Sequence, residues 1–349
     1  MEQSSSKAGK KRLRPFLWLL LALLLPLIWL AADMLHFVCT PASPQPTEKL
    51  VVVPAGASLP SVGELLQKQG LVRSAREFLW LVRLKGAAHR IKAGEYQLST
   101  GLRPGELVDK LARGEVLLHK ITFPEGYTMR QMAELLDARG LASMEGFLAT
   151  GHDLTFVRRL NIPASSLEGY LFPDTYKFAR GLPVESIMRT IVARFNQHFG
   201  PAQQHRARQL GFTRHQVVIL ASVVERETAI AEERPLVAGV FLNRLKRGIR
   251  LQSDPTVIYG LSHFNGNLTK AHLQKDTPYN TYTRRGLPVG PICNPGAASI
   301  QAVLNPTATS YLYFVARKDG THHFSSSLAE HNAAVLRHQK RSKEAGPSL

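Results

Sequence analysis

The sequence predicts an α+β protein carried on one N-terminal transmembrane helix, and three features predict it. An uncharged apolar run, FLWLLLALLLPLIWLAA, occupies Phe16–Ala32. A strand, turn and helix string then occurs twice, 70 positions apart. From Ile121 onward, long stretches of helical periodicity are broken by connections rich in Pro and Gly. The 349 residues leave room for an anchor and two globular parts, since domains usually run to about 100–200 residues. A content of 44% hydrophobic and 8% aromatic residues belongs to a folded chain and excludes an intrinsically disordered one.

Residues 1–15 read as a basic cytoplasmic tail. Lys7, Lys10, Lys11, Arg12 and Arg14 precede the apolar run, and such a flank stays on the cytoplasmic side. The anchor is placed at 16–38, with Trp18 and Trp29 near its ends, where indoles favour the membrane interface. A cleaved signal peptide shares this layout, but no small-x-small cleavage site follows and the run exceeds most signal h-regions. Pro26 is tolerable in a membrane helix, and Pro41, Pro44 and Pro46 make 39–47 a stiff, extended spacer. Everything after Asp33 is therefore expected in the periplasm, on a single-pass protein of the inner membrane. Cys39 follows Phe37 and Val38, where a lipoprotein acylation site would have small residues. Cys39 and Cys293 lack metal-ligand or CxxC spacing, and both are expected unpaired.

The repeat aligns VVPAGASLPSVGELLQKQGL from Val52 with TFPEGYTMRQMAELLDARGL from Thr122. Pro54/Pro124, Gly56/Gly126, Leu65/Leu135, Leu66/Leu136, Gly70/Gly140 and Leu71/Leu141 coincide. Each copy predicts a short strand, a Pro-x-Gly turn and an amphipathic helix stopped by glycine. Between them, Ala93–Val116 predicts another strand, turn and helix, ending at Gly114. Residues 48–118 resemble a small LysM-like α/β wall-binding module. An α+β spacer without a ligand fits the same apolar positions. Residues 119–340 form the larger α+β part, and the polar 341–349 is expected to fray.

Chemistry concentrates in TRHQVVILASVVERETAIAEER, Thr213–Arg234. Thr213 with Gln216 three residues later has the form of a capping box. The apolar stripe is Val217, Val218, Ala221 and Val224; at about 100° per residue, Glu225 falls on that face. A carboxyl turned inward loses water, and its pKa rises towards what a general acid needs. Ala221 and Ser222, one turn earlier, would leave room for a sugar beside it. Glu227 lies nearly opposite and, with Glu232, Glu233, Arg226 and Arg234, is expected on a solvated charged face. A structural carboxylate tying down a loop is the competing reading of Glu225.

Four further strings are dense in Tyr, Asn, Asp, Pro and Gly or follow in fixed order: LEGYLFPDTYKF (Leu167–Phe178), LQSDPTVIYG (Leu251–Gly260), YNTYTRRGLPVGPICNPG (Tyr279–Gly296) and YLYFVARKDGTHHFSSSLAEHN (Tyr311–Asn332). With VVERET they resemble the YceG-like family over nearly the whole chain. The resemblance implies a membrane-anchored lytic murein transglycosylase. Such an enzyme cleaves the bond between N-acetylmuramic acid (MurNAc) and N-acetylglucosamine (GlcNAc) within glycan strands and leaves a 1,6-anhydroMurNAc end. It also implies that the first glutamate of VVERET, Glu225, is catalytic and that no metal or other cofactor takes part. One carboxyl suffices for such chemistry, whereas a hydrolase normally needs a second, about 5–9 Å away. Glu168, Asp174 and Asp254 are the candidates for a second carboxylate or for the cleft lining; Asp174 and Asp254 sit beside proline, where local capping of backbone N–H groups is the plainer role. Ser222, Gln252, Tyr259, Tyr279, Asn280 and Tyr282 complete the expected substrate-binding set, an aromatic cluster being as often core. The spacing of His322, His323 and His331 does not have the HExxH form of a zinc site.

The formal net charge of +18 requires an acidic partner, which could be nucleic acid, anionic lipid or an acidic polymer. A body held outside the cytoplasm meets no genome, and no helix-turn-helix or RNP-like string appears; the carboxylates of peptidoglycan stem peptides fit better. The expected partners are glycan strands, the inner membrane and the penicillin-binding synthases that extrude strands beside it. A non-catalytic wall-binding scaffold for those synthases is the alternative.

Overall fold

The computed structural model describes residues 10–54 and 56–338, so most of the basic tail and the stretch 341–349 lie outside the described residues. Two compact units emerge. The first runs to His119 and takes in Ala179–Gly181; the second comprises Lys120–Phe178 and Leu182 onward.

The first unit begins with α1 (Lys10–Cys39), a helix of 30 residues that passes through Pro26 without a break. Its stretch Leu20–Cys39 is long and apolar enough to cross a membrane. There follow β1 (Glu48–Val53), α2 (Leu59–Lys68), α3 (Ala75–Leu84), β2 (Gly94–Ser99) and α4 (Pro104–Arg113). β1 and β2 pair antiparallel from Glu48 opposite Ser99 to Val53 opposite Gly94. Val51, Val53, Leu66, Phe78, Tyr96, Leu98, Leu107 and Leu111 fill the core, and Phe37 of α1 is buried among them. Cys39 is exposed, Cys293 is buried, and both are free thiols.

The second unit contains β3 (Leu118–Thr122), whose first two residues belong to the first unit, then α5 (Met129–Ala138), α6 (Met144–His152), α7 (Leu154–Arg159), β4 (Thr175–Ala179), α8 (Val184–His198), α9 (Pro201–Gln209) and α10 (Arg214–Glu227). It continues with α11 (Arg234–Lys246), α12 (Asp254–Tyr259), α13 (Lys270–Gln274), α14 (Ala297–Leu304), β5 (Tyr313–Ala316), β6 (His322–Ser325) and α15 (Leu328–His338). β3 pairs with β4, and β5 with β6.

The internal repeat is visible in the backbone. Gly56 and Gly126 turn at φ +76° and +77°, and α2 and α5 end before Gly70 and Gly140 at φ +69° and +62°. Such values suit glycine, which has no Cβ to strike the next carbonyl. Leu66 and Leu136, and Leu71 and Leu141, are buried at matching positions.

α10 lies at the centre of the second unit, where Val217–Val224 are buried without exception. Thr213 and Gln216 form the expected capping box: Thr213 Oγ1 accepts from Gln216 N at 3.2 Å, and Gln216 Oε1 accepts from Thr213 N at 2.8 Å. The loop before α14 crosses close to α10 and to Gly169. Gly169 sits at φ +85°, and a Cβ there would lie 2.5 Å from Pro291 and 2.8 Å from Val218. Gly169→Ala should therefore cost roughly 2–4 kcal/mol, from the left-handed backbone plus overpacking, read as a lower urea midpoint at unchanged slope.

Candidate active site

The end of α10 presents two carboxylates two residues apart, and their surroundings differ. Glu225 is buried, its side chain only 4% exposed, but it is not free. Arg234, the first residue of α11, donates from Nη2 to Glu225 Oε1 at 3.1 Å, and the Gly296 N–H donates to Oε2 at 2.9 Å. Gly296 is the N-cap of α14, so the carboxylate also meets the positive end of a helix dipole. Arg234 reaches a second carboxylate, Glu125 in the turn after β3, at 3.4 Å. The inward position of Glu225 is as the sequence predicts, and its two oxygens are each held by one donor. The phase argument fixed the direction of the side chain, whereas its partners come from α11 and the loop before α14.

Glu227 corrects a further expectation. It is not solvated: burial pushes its carboxyl up to about 7, with the negative charge of Asp254 adding to that, against the Ser253 hydroxyl and Arg244, which oppose it. The Ser253 hydroxyl donates to Glu227 Oε1 in a short hydrogen bond. The face opposite the stripe is inside as well, because α10 is apolar on every side and surrounded by protein.

Glu227 lines a pocket of about 490 Å³ together with Gln252, Asp254, Tyr282, Arg244 and residues of β5, β6 and α15. The Asp254 carboxylate accepts from the Tyr282 hydroxyl at 2.6 Å, and the two share a wall. Gln252 holds φ at +52°, a strained conformation for a residue with a Cβ, which the surrounding fold must impose. Arg244 builds the frame: its Nε donates to Leu312 O at 2.6 Å, its Nη1 to Leu251 O at 2.6 Å, and its guanidinium lies 5.1 Å from the Tyr313 ring centre. On the other wall Tyr313 stacks on His331 with ring centres 5.2 Å apart. His322 is held by Glu233, whose Oε2 is 2.6 Å from its Nδ1. Glu233 is thus a half-buried anchor for β6 and not part of a solvated face.

The other expected site residues fall outside this pocket. Glu168 is fully enclosed: its oxygens accept from Met129 N at 3.0 and 3.1 Å, from Asn294 Nδ2 at 3.0 Å and from the Tyr259 hydroxyl at 3.1 Å. Burial pushes its carboxyl to about 7 against the pull of those bonds, and its position ties the start of α5 to α12. Tyr259 meets Tyr279 edge-on at 4.8 Å, as part of the core packing and not as an open platform. Asn280 is buried, its amide donating to Leu273 O at 3.0 Å and Lys275 O at 2.7 Å. Ser222 offers no space to a sugar; its hydroxyl donates to Ile219 O at 2.7 Å and accepts from Ile292 N at 3.0 Å. Asp174 caps Thr175 N at 2.7 Å and pairs with Arg194 at 2.6 Å, the local role weighed for it from the sequence. Of the expected set, the pocket therefore gathers Gln252, Asp254 and Tyr282.

The residues overlooked in the sequence are Glu227, Arg244, Tyr313 and His331 in the pocket, and Arg234, Glu125 and Asn294 behind it. A signal for Glu227 was available: VVILASVV is eight residues with no polar side chain but Ser222, too continuous for a helix with one wet face. Nothing local marked the others, which meet only through tertiary contacts.

The YceG-like family profile matches residues 51–337. The chain is 32% identical over 298 residues to the endolytic murein transglycosylase of Bacillus subtilis (strain 168), across 81% of this chain and 82% of that one. It is 30% identical over 320 residues to the endolytic murein transglycosylase of Streptococcus pneumoniae serotype 2 (strain D39 / NCTC 7466), across 82% of this chain but 58% of that longer protein. Among solved structures, a yceG-like protein from Listeria monocytogenes superposes with a TM-score of 0.58 at 31% identity, covering 83% of this chain and all of the other.

Removing one member of a buried ion pair leaves its partner uncompensated. Arg234→Ala should cost about 3–5 kcal/mol in urea unfolding, and adding Glu225→Gln should recover much of that loss.

Proposed function

Because this chain belongs to the YceG-like family, we propose that it is an endolytic lytic transglycosylase of peptidoglycan whose acid/base is Glu225. The observation that carries this assignment is the family match over residues 51–337 together with the place of Glu225, the first glutamate of VVERET, at the end of the central helix α10 with its two oxygens oriented by Arg234 and the Gly296 N–H. A carboxyl fixed in this way can give up a proton and take one back at a single place.

In the proposed reaction, protonated Glu225 gives its proton to the oxygen between MurNAc and GlcNAc as the C1–O bond breaks. The carboxylate then takes the proton of the MurNAc C6 hydroxyl while that oxygen closes on C1. A 1,6-anhydroMurNAc end and a free GlcNAc hydroxyl result; Glu225 regains its proton, and no water is consumed. Asp254, held by Tyr282, supplies negative charge beside the site, where C1 becomes positive in the transition state. Gln252 and the Tyr313–His331 stack are suited to seat sugar rings, one by its amide and the other by a flat face. Glu227, in the wall of the pocket two residues on, is assigned a supporting role, its carboxyl held by the Ser253 hydroxyl. The reaction calls for no metal or other cofactor.

The apolar helix α1 supports a single-pass inner-membrane anchor with the body in the periplasm. There the enzyme would meet nascent strands as penicillin-binding synthases release them and would terminate their elongation. The net charge of +18 suits the acidic wall and not a nucleic acid. The first unit, built from short strands and helices on the scale of LysM-like modules, would add its own hold on the glycan.

Glu225→Gln should lower release of anhydromuropeptides from purified sacculi by at least about 100-fold while the protein stays folded; folded Glu227→Gln should retain measurable release. Full activity in Glu225→Gln would remove the assignment, and wild-type protein that binds sacculi without cutting them would favour the scaffold. The raised carboxyl of Glu227 stabilises the fold fully below its ordinary value of 4.5, and that stability is lost as pH climbs through about 7. The wild-type Tm should therefore fall more across this window than that of Glu227→Gln.

A further inference from the structure

α3 packs Phe78, Leu81 and Val82 into the first unit's core, yet it also carries two large apolar side chains outward: Trp80 is 58% exposed and Leu84 82%. Their neighbours say what lies outside. Arg73, just before α3, reaches His36 of α1 at 3.3 Å, and the carboxyl of Glu77, one turn into α3, lies beside that of Asp33. As numbers rise along α3 they fall along α1, so α3 heads back towards the apolar span. Trp80 and Leu84 follow Glu77 at spacings of three and four, on the helix side that faces α1. Seven residues of helix carry Leu84 up to about 10 Å beyond the Asp33 contact. Residues 73–92 hold Arg73, Arg76, Arg83, Lys85, Arg90 and Lys92 against the single carboxylate Glu77. Lys85 is paired with Asp109 at 2.7 Å, while Arg83 lies 6.0 Å from the Trp80 ring centre.

We propose that α3 is a second membrane contact, with Trp80 and Leu84 seated in the acyl–headgroup boundary of the leaflet at the C-terminal end of α1, and Arg76, Arg83 and Arg90 on anionic headgroups. An indole with an arginine beside it and a fully presented leucine one turn on is the composition that favours this zone. The contact would fix the tilt of the first unit on the membrane, which a flexible tether would leave free. It rests on α1 spanning the bilayer and is independent of the reaction assigned to Glu225.

The test uses the full chain with Trp18→Phe and Trp29→Phe, which leaves Trp80 as the one indole of three. The protein is reconstituted in phosphatidylcholine–phosphatidylglycerol vesicles, with and without bromine high on the acyl chains. Trp80 emission should be blue-shifted and quenched by roughly half or more in the brominated vesicles. Leu84→Glu should abolish the quenching while carbonate washing still leaves the protein in the membrane. Emission typical of water, unquenched by the brominated lipid, would overturn the contact, as would loss of the protein from the vesicles on washing. Quenching of equal strength in phosphatidylcholine alone would overturn the pairing of arginines with headgroups.

Discussion

The second unit depends on the complete burial of α10. A helix with a wet face can turn a surplus carboxylate to solvent; one with eight consecutive buried residues cannot. Both glutamates at its end must then be accommodated by protein, and the fold does so in two ways. Glu225 receives a guanidinium and a backbone N–H. Glu227 receives a hydroxyl, an unfavourable acidic neighbour and a pocket. Two residues of the same type, separated by a single arginine, are thus given different surroundings.

Much of the architecture was legible because it is written in short-range signals. Glycines at Gly56, Gly70, Gly126 and Gly140 carry the positive φ that turns and helix ends require, and the Thr213–Gln216 box marks where α10 begins. The apolar span and its basic flank are equally local. The site was legible only in part. Asp254, Gln252 and Tyr282 could be found from their strings, but the periodicity that sent Glu225 inward sent Glu227 outward, since a helical wheel assumes that one side faces water. Asn280, Ser222 and Glu168 carry polar groups in suggestive motifs, and each is consumed by hydrogen bonds to backbone, near in sequence for Asn280 and distant for the other two. Polar density in a sequence does not separate groups that serve a ligand from groups that satisfy the chain itself.

The frame of the pocket shows the same economy. Arg244 is almost entirely buried, and its donors are spent on the carbonyls of Leu312 and Leu251. It thereby fastens β5 to the segment that carries Gln252 and Asp254, so the two walls are connected through one rigid fork. The unusual φ of Gln252 is sustained at the edge of that clamp.

The two strand, turn and helix copies share a backbone path and sit in unequal surroundings. Around Gly56 in the first copy nothing among the described residues comes within 4 Å of where a side chain would begin. Around Gly126 in the second, Glu225 and Arg226 lie in van der Waals reach, the backbone N–H donates to Asn294 O, and the neighbouring Glu125 joins Arg234. A side chain added at the first turn would meet open space, whereas at the second it would touch the end of α10, so the same motif is a loose hinge in one copy and a packed joint in the other.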